Sequence, residues 1–255
     1  MTSTMSKILI FGGTGGIGES FARALHKMGK KVIITGRRED RLGSLAKELP
    51  GLETYTMDNS DLGAIPRHAN TLIAKYPDVD TVWVNSGVQY QGSFKSLDGF
   101  GDEKIINEIN VNLTAPIILA RYFVPHLISL GRDEGTTFMV TSSGIAFVPA
   151  GLFPVYSPTK AGVHSFMVGL RQSIKGDDAN INFIEIVPPY VRTDLDVANR
   201  LWHAITPMEL DDFTRDTLKE LEKPAKELKE VAAGTAIPRV RAWRDAFNPL
   251  LRMGG

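Results

Sequence analysis

The sequence predicts an α/β fold in which a parallel β-sheet carries helices on both of its faces. Short runs rich in β-branched residues alternate with segments of helical spacing, and this alternation is typical of a parallel sheet. The runs are apolar almost throughout, as expected for strands that are covered on both sides. The six predicted strands are KILIFG (7–12), KVIITG (31–36), LETYTM (52–57), TVWVNSG (81–87), TTFMVTSS (136–143) and INFIEIVPP (181–189).

The segments between the predicted strands have the apolar spacing of amphipathic helices. After the first strand, Ile17, Phe21 and Leu25 recur every four residues, so they lie on one helical face. Two further segments, 104–129 and 156–175, are predicted to form long helices with apolar faces. Helices on both sides of a parallel sheet make the fold doubly wound.

The strand pattern stops after Thr193. Residues 194–255 are predicted to form a loop and a helical tail on the substrate side of a single domain that spans 1–255. Within this tail, EVAAG (230–234) is a poor match to a strand, so the sequence leaves a seventh strand open.

The tail helix is predicted to begin at TPME (206–209). Thr206 can cap a helix, Pro207 suits the first helical position, and Glu209 can complete a capping box. Trp202 and Met208 flank this start and are suited to lining a pocket.

Composition and charge narrow the classes of function. The 255-residue chain has 29 basic and 29 acidic residues, so nothing points to nucleic acid or an acidic membrane as a partner. The absence of cysteine excludes a disulfide framework and a thiolate metal site, and we predict no metal site. The apolar stretch 115–130 is interrupted by Arg121 and Pro125, and MTSTMSK lacks the apolar core of a secretory signal. We therefore expect a cytoplasmic protein.

A glycine-rich stretch, FGGTGGIG (11–18), follows the first predicted strand and opens the first predicted helix. A helix N-terminus offers unpaired N–H groups and a partial positive charge, which together favour a phosphate. Gly12, Gly16 and Gly18 would let a pyrophosphate approach the backbone closely. The stretch therefore predicts a dinucleotide site, and the alternative is a flexible turn without a ligand.

The end of the second predicted strand reads ITGRRED. An acidic residue there usually binds the ribose hydroxyls of NAD, whereas an arginine can accept the 2′-phosphate of NADP. Gly36 stands where the acid would be, and Arg37 and Arg38 follow it, so the sequence favours NADPH. The alternative is that both arginines are solvated residues before a helix.

The segment YSPTK places Tyr156 and Lys160 four residues apart, on one face of a predicted helix. A free tyrosine has a pKa of about 10, and a neighbouring ammonium lowers it, which makes the phenol usable as an acid or base. The pattern is weak by itself, because surface helices contain it by chance.

Ser143 closes the fifth predicted strand, at the edge of the sheet that faces a ligand crevice in open α/β folds. It can donate a hydrogen bond to a substrate oxygen, and the alternative is a capping serine.

Taken together, these motifs resemble those of the short-chain dehydrogenase/reductase family, from about residue 7 to Thr193. The glycine turn is similar to the family's T-G-x-x-x-G-x-G, with Phe11 in place of threonine. NSG (85–87) resembles the family's N-A-G stretch. VNLTAP (111–116) resembles its N-x-x-G stretch, which makes Asn112 the match for a fourth catalytic residue.

Two further matches concern the cofactor. Asp58 falls where the family contacts adenine, and PPYVRT (188–193) looks like P-G-x-V-x-T with Pro189 in place of glycine. The resemblance implies that Thr193 binds the nicotinamide carboxamide. It also implies a Rossmann fold with strand order 3-2-1-4-5-6 and pairing of the long helices in a homodimer or homotetramer.

The resemblance implies a division of roles among the residues. Ser143 and Tyr156 would hold a substrate carbonyl oxygen, Lys160 would lower the pKa of the tyrosine, and Asn112 would hold a water that resupplies the proton. The implied cofactor-binding residues are Gly12, Thr14, Gly15, Gly16, Ile17, Gly18, Arg37, Arg38, Asp58, Asn59, Asn85, Ser86, Gly87, Tyr156, Lys160, Pro188, Val191 and Thr193. The expected substrate-binding residues are Gln89, Ser143, Ala146, Phe153, Tyr156 and Trp202.

The sequence thus predicts an oxidoreductase that moves a hydride between NADPH and the carbonyl or alcohol of a small to medium organic substrate. Two alternatives stay open: a sensor that binds NADPH without turnover, and an epimerase or imine reductase on the same fold. His164, one turn beyond Lys160, is interpreted as a packed or solvated helix residue.

Overall fold

A seven-stranded parallel β-sheet forms the centre of the protein in the computed structural model, which describes residues 4–174, 179–195 and 205–253. The strand order is β3-β2-β1-β4-β5-β6-β7, and every neighbouring pair is parallel. The strands are β1 (Lys7–Phe11), β2 (Lys31–Gly36), β3 (Glu53–Thr56), β4 (Thr81–Val84), β5 (Thr136–Thr141), β6 (Ile181–Val187) and β7 (Glu230–Ala232). The six predicted strands and the doubly wound Rossmann fold are therefore confirmed.

Eight α-helices connect and cover the strands in the described part of the chain. They are α1 (Gly16–Lys27), α2 (Glu39–Glu48), α3 (Ile65–Lys75), α4 (Asp102–Ile109), α5 (Ala115–Ser129), α6 (Tyr156–Ser173), α7 (Leu210–Glu220) and α8 (Ala236–Met253).

The alternation of side chains along the strands divides the core into two layers. Ile8 and Ile10 of β1 pack with α1, α2 and α7 on one face, whereas Leu9 and Phe11 pack with α3, α5 and α6 on the other. Each face contributes fully buried side chains, and burying one such side chain stabilises the fold by roughly 1.5–3 kcal/mol. This two-sided burial explains why the strands are apolar throughout.

The seventh strand is present, although EVAAG is a poor match in the sequence. β7 begins at Glu230, a buried residue that pairs with Glu185 of β6 in the register of the sheet. The Glu230 carboxylate accepts hydrogen bonds from Arg171 of α6 at 2.5 Å and from Arg244 of α8 at 2.7 Å. These two arginines are distant in sequence, so the pattern of the strand alone does not reveal why a glutamate is tolerated there.

The start of the tail helix differs from the prediction. Met208 forms an isolated parallel bridge with Val191, and α7 begins only at Leu210. The Met208 N–H donates to the Tyr190 carbonyl at 2.9 Å, which keeps TPME extended beside the sheet edge. The predicted capping box at 206–209 is therefore wrong, because a long-range backbone pairing outweighs the local signal.

The single long helix predicted over 104–129 is in fact two helices. A π-helical segment, Asn110–Thr114, lies between α4 and α5. Such segments are rare and occur frequently at functional sites. Here the segment carries Asn112 and aims its side chain toward the loop that follows β4.

Among the described residues, the segment Asp102–Ser129 is long and apolar enough to cross a membrane by length and composition, with a mean hydropathy of 1.3. Half of its most apolar stretch is buried inside the protein, where Leu119 and Phe123 pack in the core. We therefore assign it as a pair of core helices.

Asp80 fastens the amino-terminal end of the sheet. Its buried carboxylate accepts hydrogen bonds from the backbone N–H groups of Ser6 and Lys7 at 3.0 Å, and from Arg132 at 2.9 Å. We expect Asp80→Ala to lower the free energy of unfolding by about 3–5 kcal/mol, because it leaves these donors unpaired. Urea-induced unfolding measures the loss.

The matched control is Asp78→Ala, which removes an exposed ion pair with Lys7 and should change stability by less than about 1 kcal/mol. Equal losses in the two variants would contradict the role of Asp80.

Candidate active site

A cavity of about 770 Å³ opens at the carboxyl ends of the parallel strands, where ligands bind in open α/β sheets. The turn between β1 and α1 forms one wall, and the first turn of α6 forms another. All of the predicted cofactor residues line this cavity except Gly18, which packs beneath the turn.

The glycine turn has the backbone geometry that the sequence predicts. Gly12 and Gly16 have positive φ angles of 82° and 51°, a region that favours glycine. A Cβ on Gly18 would lie 2.1 Å from the carbonyl oxygen of Gly12 and 2.6 Å from Nδ2 of Asn85. The turn can therefore approach β4 only because position 18 has no side chain.

The end of β2 brings a small residue and two guanidinium groups to the cavity. A Cβ on Gly36 would meet the Thr14 side chain at 2.6 Å, so an acid at this position would not fit without movement of Thr14. Arg38 donates hydrogen bonds to the Thr14 carbonyl at 2.8 Å and to its hydroxyl at 3.2 Å, and so it braces the glycine turn. Arg37 is exposed at the cavity wall.

Polar residues from β3 and β4 complete this side of the cavity. The Asn59 amide donates to the Ser86 hydroxyl at 2.5 Å, and its Oδ1 atom is buried without a partner among the described residues. Asp58 accepts hydrogen bonds from the backbone N–H and the hydroxyl of Ser60, both at 2.8 Å. A buried, unsatisfied amide oxygen at the cavity wall suits a ligand with hydrogen-bond donors.

Asn85 connects the glycine turn to the next strand. Its Nδ2 donates to the Gly12 carbonyl at 3.1 Å, and its Oδ1 accepts from the Thr141 hydroxyl at 2.9 Å. The same hydroxyl accepts a hydrogen bond from the Trp83 indole at 2.9 Å. β4 ends at Val84, earlier than predicted, and this network holds Asn85 at its carboxyl end.

The four predicted catalytic residues converge at the far end of the cavity. Ser143 and Tyr156 both line this end of the cavity, and the Ser143 side chain lies close enough to the phenol to influence its pKa. The Lys160 ammonium lies 5.5 Å from the centroid of the Tyr156 ring and donates to the Thr141 carbonyl at 2.8 Å. Asn112 lies behind the cavity wall, and it binds both backbone groups of Val88, at 2.9 Å and 2.8 Å.

Ser143 caps a short helix, which is the alternative that the sequence left open, and it also lines the cavity. Its hydroxyl accepts a hydrogen bond of 3.4 Å from the Ile145 N–H at the start of a short 3₁₀ helix, Gly144–Ala146. The two interpretations are therefore compatible.

Burial controls the ionisation of the central residues. It raises the pKa of Tyr156, as does the Glu108 carboxylate, whereas the hydrogen bond from Ser143 opposes the shift. Burial also lowers the pKa of Lys160 to about 8, against the opposing charges of Glu185 and Glu108. The sequence predicts that the Lys160 ammonium lowers the pKa of Tyr156, but desolvation has the larger effect and raises it. Tyr156 therefore keeps its proton at neutral pH.

Burial also raises the pKa of Glu108 to about 7, while a backbone hydrogen bond from Tyr90 and the charge of Lys160 act in the opposite direction. Nothing in the sequence motifs singled out Glu108. Its position four residues before Asn112 is the one signal that could have found it, because i and i+4 share a helical face.

The cavity wall opposite the glycine turn is mainly apolar. Gln89, Ser143, Phe153 and Tyr156 line it as predicted, but Ala146 does not. The 3₁₀ helix directs Ile145 toward the cavity instead of Ala146, so that prediction is corrected. Trp202 lies outside the described residues. Lining residues that the sequence analysis missed are Ile145, Val148, Leu152, Tyr190 and Arg239.

The segment after β6 closes the cavity. The Pro188 carbonyl accepts a hydrogen bond from the Gly144 N–H at 2.9 Å, and Pro189 packs against Gly234, where a Cβ would be 3.3 Å away. The Thr193 side chain lies against Gly16 of the glycine turn, and its implied contact with the nicotinamide carboxamide stays a prediction.

His164 is buried in an ion-pair network behind the cavity. Its Nδ1 lies 2.8 Å from Glu185, whose other oxygen accepts from the Ser142 hydroxyl at 2.5 Å. His164, Glu185 and Glu230 each place one nitrogen or oxygen atom that could ligate a metal ion within 4.8 Å of the others. The two arginines that bind Glu230 supply its counter-charge, so we interpret the cluster as structural.

This fold and this arrangement of side chains define a class of oxidoreductases that bind a dinucleotide. The family model described as short chain dehydrogenase matches residues 6–204. The chain therefore belongs to the short-chain dehydrogenase/reductase family, as the sequence motifs imply.

Individual relatives agree with this assignment. The Bacillus subtilis (strain 168) protein named uncharacterized oxidoreductase DltE is 34% identical over 228 residues, which cover 86% of this chain and 87% of the relative.

Two solved structures share the fold. A short-chain dehydrogenase from Sphingobium yanoikuyae in complex with NADPH has a TM-score of 0.79 at 20% identity, over 97% of this chain and 95% of the other. A 3-ketoacyl-(acyl-carrier-protein) reductase from Brucella melitensis complexed with NADH has a TM-score of 0.76 at 20% identity, over 89% and 96% of the two chains.

The close packing beneath the glycine turn is open to a direct test. We expect Gly18→Ala to lower the affinity for NADPH at least about tenfold, because the added methyl group forces the turn away from Asn85. Quenching of tryptophan fluorescence during a titration measures the affinity.

The matched control is Gly43→Ala on the exposed face of α2, where nothing lies within 4 Å of the added Cβ. This control should leave the affinity unchanged and stabilise the protein by about 0.5–1 kcal/mol. Unchanged affinity in the Gly18 variant would contradict the close approach.

Proposed function

We propose that this protein is an NADPH-dependent reductase of organic carbonyl compounds, which moves a hydride between the cofactor and a carbonyl or alcohol carbon. The observation that carries the proposal is the convergence of Ser143, Tyr156 and Lys160 in a cavity that also contains the glycine turn. Family membership supports the reaction class.

The residues fit the proposed cofactor. The positive φ angles of Gly12 and Gly16 and the close packing of Gly18 shape a turn whose backbone N–H groups can reach a pyrophosphate. The unsatisfied Oδ1 of Asn59 can accept a hydrogen bond from the adenosine part. When bound, NADPH supplies the hydride.

The preference for NADPH over NADH is supported by the end of β2. Gly36 lacks a carboxylate that would repel a 2′-phosphate, and Arg37 is exposed at the cavity wall. Arg38 is engaged with Thr14, which leaves Arg37 as the guanidinium with freedom to bind the phosphate.

Tyr156 acts as the proton donor during reduction. Because burial raises its pKa, the phenol keeps its proton at neutral pH and can give it to the alkoxide that develops on the substrate. Ser143 donates a hydrogen bond to the same oxygen, and such fixed donors stabilise developing charge strongly in a site that excludes water.

Lys160 stabilises the phenolate that Tyr156 leaves behind. Its ammonium is buried and fixed by the Thr141 carbonyl, so its position does not depend on solvent. Asn112 holds the loop at Val88 and thereby shapes the space behind Lys160, where a water can carry a proton inward.

The apolar wall suits a substrate with a hydrocarbon or aromatic body. Val148, Leu152 and Phe153 line the cavity, and Gln89, Tyr190 and Arg239 add polar groups to its wall. A medium-sized ketone or aldehyde with an apolar body fits this lining.

Assembly into a homodimer or homotetramer belongs to the same proposal. Ile106 and Ile117 on the α4–α5 segment and Leu250 on α8 are exposed apolar side chains, with 57%, 39% and 60% of their surface accessible. A second copy of the chain would cover such groups.

The reaction is tested with Tyr156→Phe. We expect this change to lower turnover by at least about 100-fold, because the proton donor is lost while the ring remains. NADPH oxidation is followed by absorbance against a panel of ketones, aldehydes and quinones, and NADPH affinity should stay within about twofold. Retained turnover would contradict the mechanism.

Tyr122→Phe on α5 is the matched control and should retain full activity. If no carbonyl in the panel is reduced although NADPH binds tightly, the sensor and the other reactions of the fold gain support.

The cofactor preference is tested with Arg37→Ala. Loss of a charge-assisted hydrogen bond is worth about 1.5–3 kcal/mol, so we expect the affinity for NADPH to fall about 10–100-fold while the affinity for NADH changes little. Calorimetric titration with both cofactors measures the two affinities. An equal loss of affinity for both cofactors would refute the binding of the 2′-phosphate by Arg37. Arg67→Ala, on the exposed face of α3, controls for the change in net charge.

A further inference from the structure

Glu108 is a buried acid at the end of α4, directly before the π-helical segment that carries Asn112. None of its surface is accessible to solvent. Glu108 and Asn112 lie four residues apart, and both reach the same loop: Glu108 accepts from the Tyr90 N–H at 2.9 Å, and Asn112 accepts from the Val88 N–H at 2.9 Å. One of the two residues that hold this loop can therefore change its protonation state.

Only one oxygen of the Glu108 carboxyl has a hydrogen bond. Oε1 accepts from Tyr90, whereas Oε2 is buried and has no partner among the residues that the structure describes. An unsatisfied buried carboxylate oxygen is costly, and protonation of this oxygen relieves part of the cost. For holding Tyr90 alone, a glutamine would serve equally well, so the titratable oxygen calls for a role of its own.

The charged and titratable groups around Glu108 come mainly from the active site. From α6, Tyr156 and Lys160 lie within electrostatic reach of its carboxylate. From the loop after β4, Tyr90 contacts it through the backbone N–H, while the Tyr90 hydroxyl accepts a hydrogen bond from Asn107 at 2.7 Å. Lys104 of the same helix as Glu108 lies 5.9 Å from the Tyr90 ring. Glu108 is therefore coupled directly to the residues that exchange protons.

The proposed reaction leaves Tyr156 without its proton after each reduction, and the residue must regain one although it is buried. The Asn112 amide can position a water but cannot change its own protonation state. A group that holds and releases a proton near neutral pH would complete the route.

We propose that the Glu108 carboxyl is the proton store that refills the Tyr156–Lys160 pair after each reduction, an inference that rests on the proposed function. The Tyr156 O–H bond breaks as the O–H bond of the alcohol product forms. The phenolate then takes a proton from the Lys160 ammonium. The resulting amine takes one from the Glu108 carboxylic acid, directly or through one water, and the carboxylate recovers a proton from solvent. One proton enters from solvent for each hydride transferred.

The acidities of the two groups suit this transfer. Burial raises the pKa of Glu108 to about 7 and lowers that of Lys160 to about 8. Proton transfer between groups of nearly equal pKa is close to thermoneutral, so it can run quickly in both directions. Glu108 acts through Lys160 and does not touch the substrate.

The test compares E108Q with E103Q, a matched change on the exposed part of the same helix. The glutamine keeps an oxygen for the Tyr90 N–H but cannot titrate. We expect kcat of E108Q to fall about tenfold near neutral pH with KM unchanged, the ionisation near pH 7 to vanish from the kcat profile, and the solvent deuterium isotope effect to rise. E103Q should behave as the wild-type protein, and E108D should restore an ionisation.

A kcat profile of E108Q that superimposes on that of the wild-type protein would overturn the proposal. So would a parallel rise in KM and loss of kcat without any change in pH dependence, because that pattern belongs to a residue that only holds the loop.

A second measurement needs no turnover, so it separates this inference from the proposed function. Infrared spectra of the wild-type protein should contain a protonated carboxyl band that disappears as pH rises through about 7 and is absent from E108Q. A band that titrates in the ordinary glutamate range would overturn the assignment even if the reductase activity is found.

Stability provides the check on folding. Because the pKa of Glu108 is raised in the folded protein, the folded state binds more protons than the unfolded state between the ordinary glutamate pKa and about 7. Wild-type stability therefore falls as pH rises through this window, and E108Q removes that fall. The Tm of E108Q relative to wild type should increase from pH 5 to pH 8, and an unchanged difference would contradict a buried, titrating Glu108.

Discussion

The close contact between the glycine turn and β4 is the constraint on which the rest of the site depends. Because Gly18 has no side chain, Asn85 can reach the Gly12 carbonyl, and its other end is held by Thr141. The backbone carbonyl of Thr141 in turn fixes the Lys160 ammonium. Hydrogen bonds through Asn85 and Thr141 therefore connect the proposed phosphate-binding turn to Lys160, which lies beside the phenol.

The same packing determines the chemistry of the site, because it buries every titratable group at its centre. Desolvation shifts the pKa of Tyr156 upward and that of Lys160 downward, and the carboxylates of Glu108 and Glu185 support the charged form of the lysine. Glu185 is itself hydrogen-bonded to Ser142 and His164. The charges of Lys160 and Glu108 therefore influence one another, and the charge of Glu108 also influences Tyr156.

The sequence was sufficient where the determinants are local. Continuous apolar runs predict the strands, and the spacing of Gly12, Gly16 and Gly18 places the turn correctly. Tyr156 and Lys160 share a helical face. Sequence-based prediction fails where residues far apart in the sequence determine the local structure. Glu230 is tolerated in β7 because of Arg171 and Arg244, and the capping signal at 206–209 yields to the bridge between Val191 and Met208. Glu108 escaped notice because its importance lies in burial, which no motif records.

The fold by itself does not select the cofactor. Solved structures with TM-scores of 0.79 and 0.76 to this chain contain NADPH and NADH respectively, so proteins of the same fold bind either cofactor. The two cofactors differ only at the 2′ position of the adenosine ribose, which lies beside the end of the second strand in this class of fold. Under the proposed function, the preference for NADPH therefore depends on Gly36 and Arg37. Gly36 stands where NAD-binding folds carry an acidic residue, and Arg37 adds a positive charge. The chemistry at Tyr156 is common to both cofactors, so cofactor preference and catalysis can change independently.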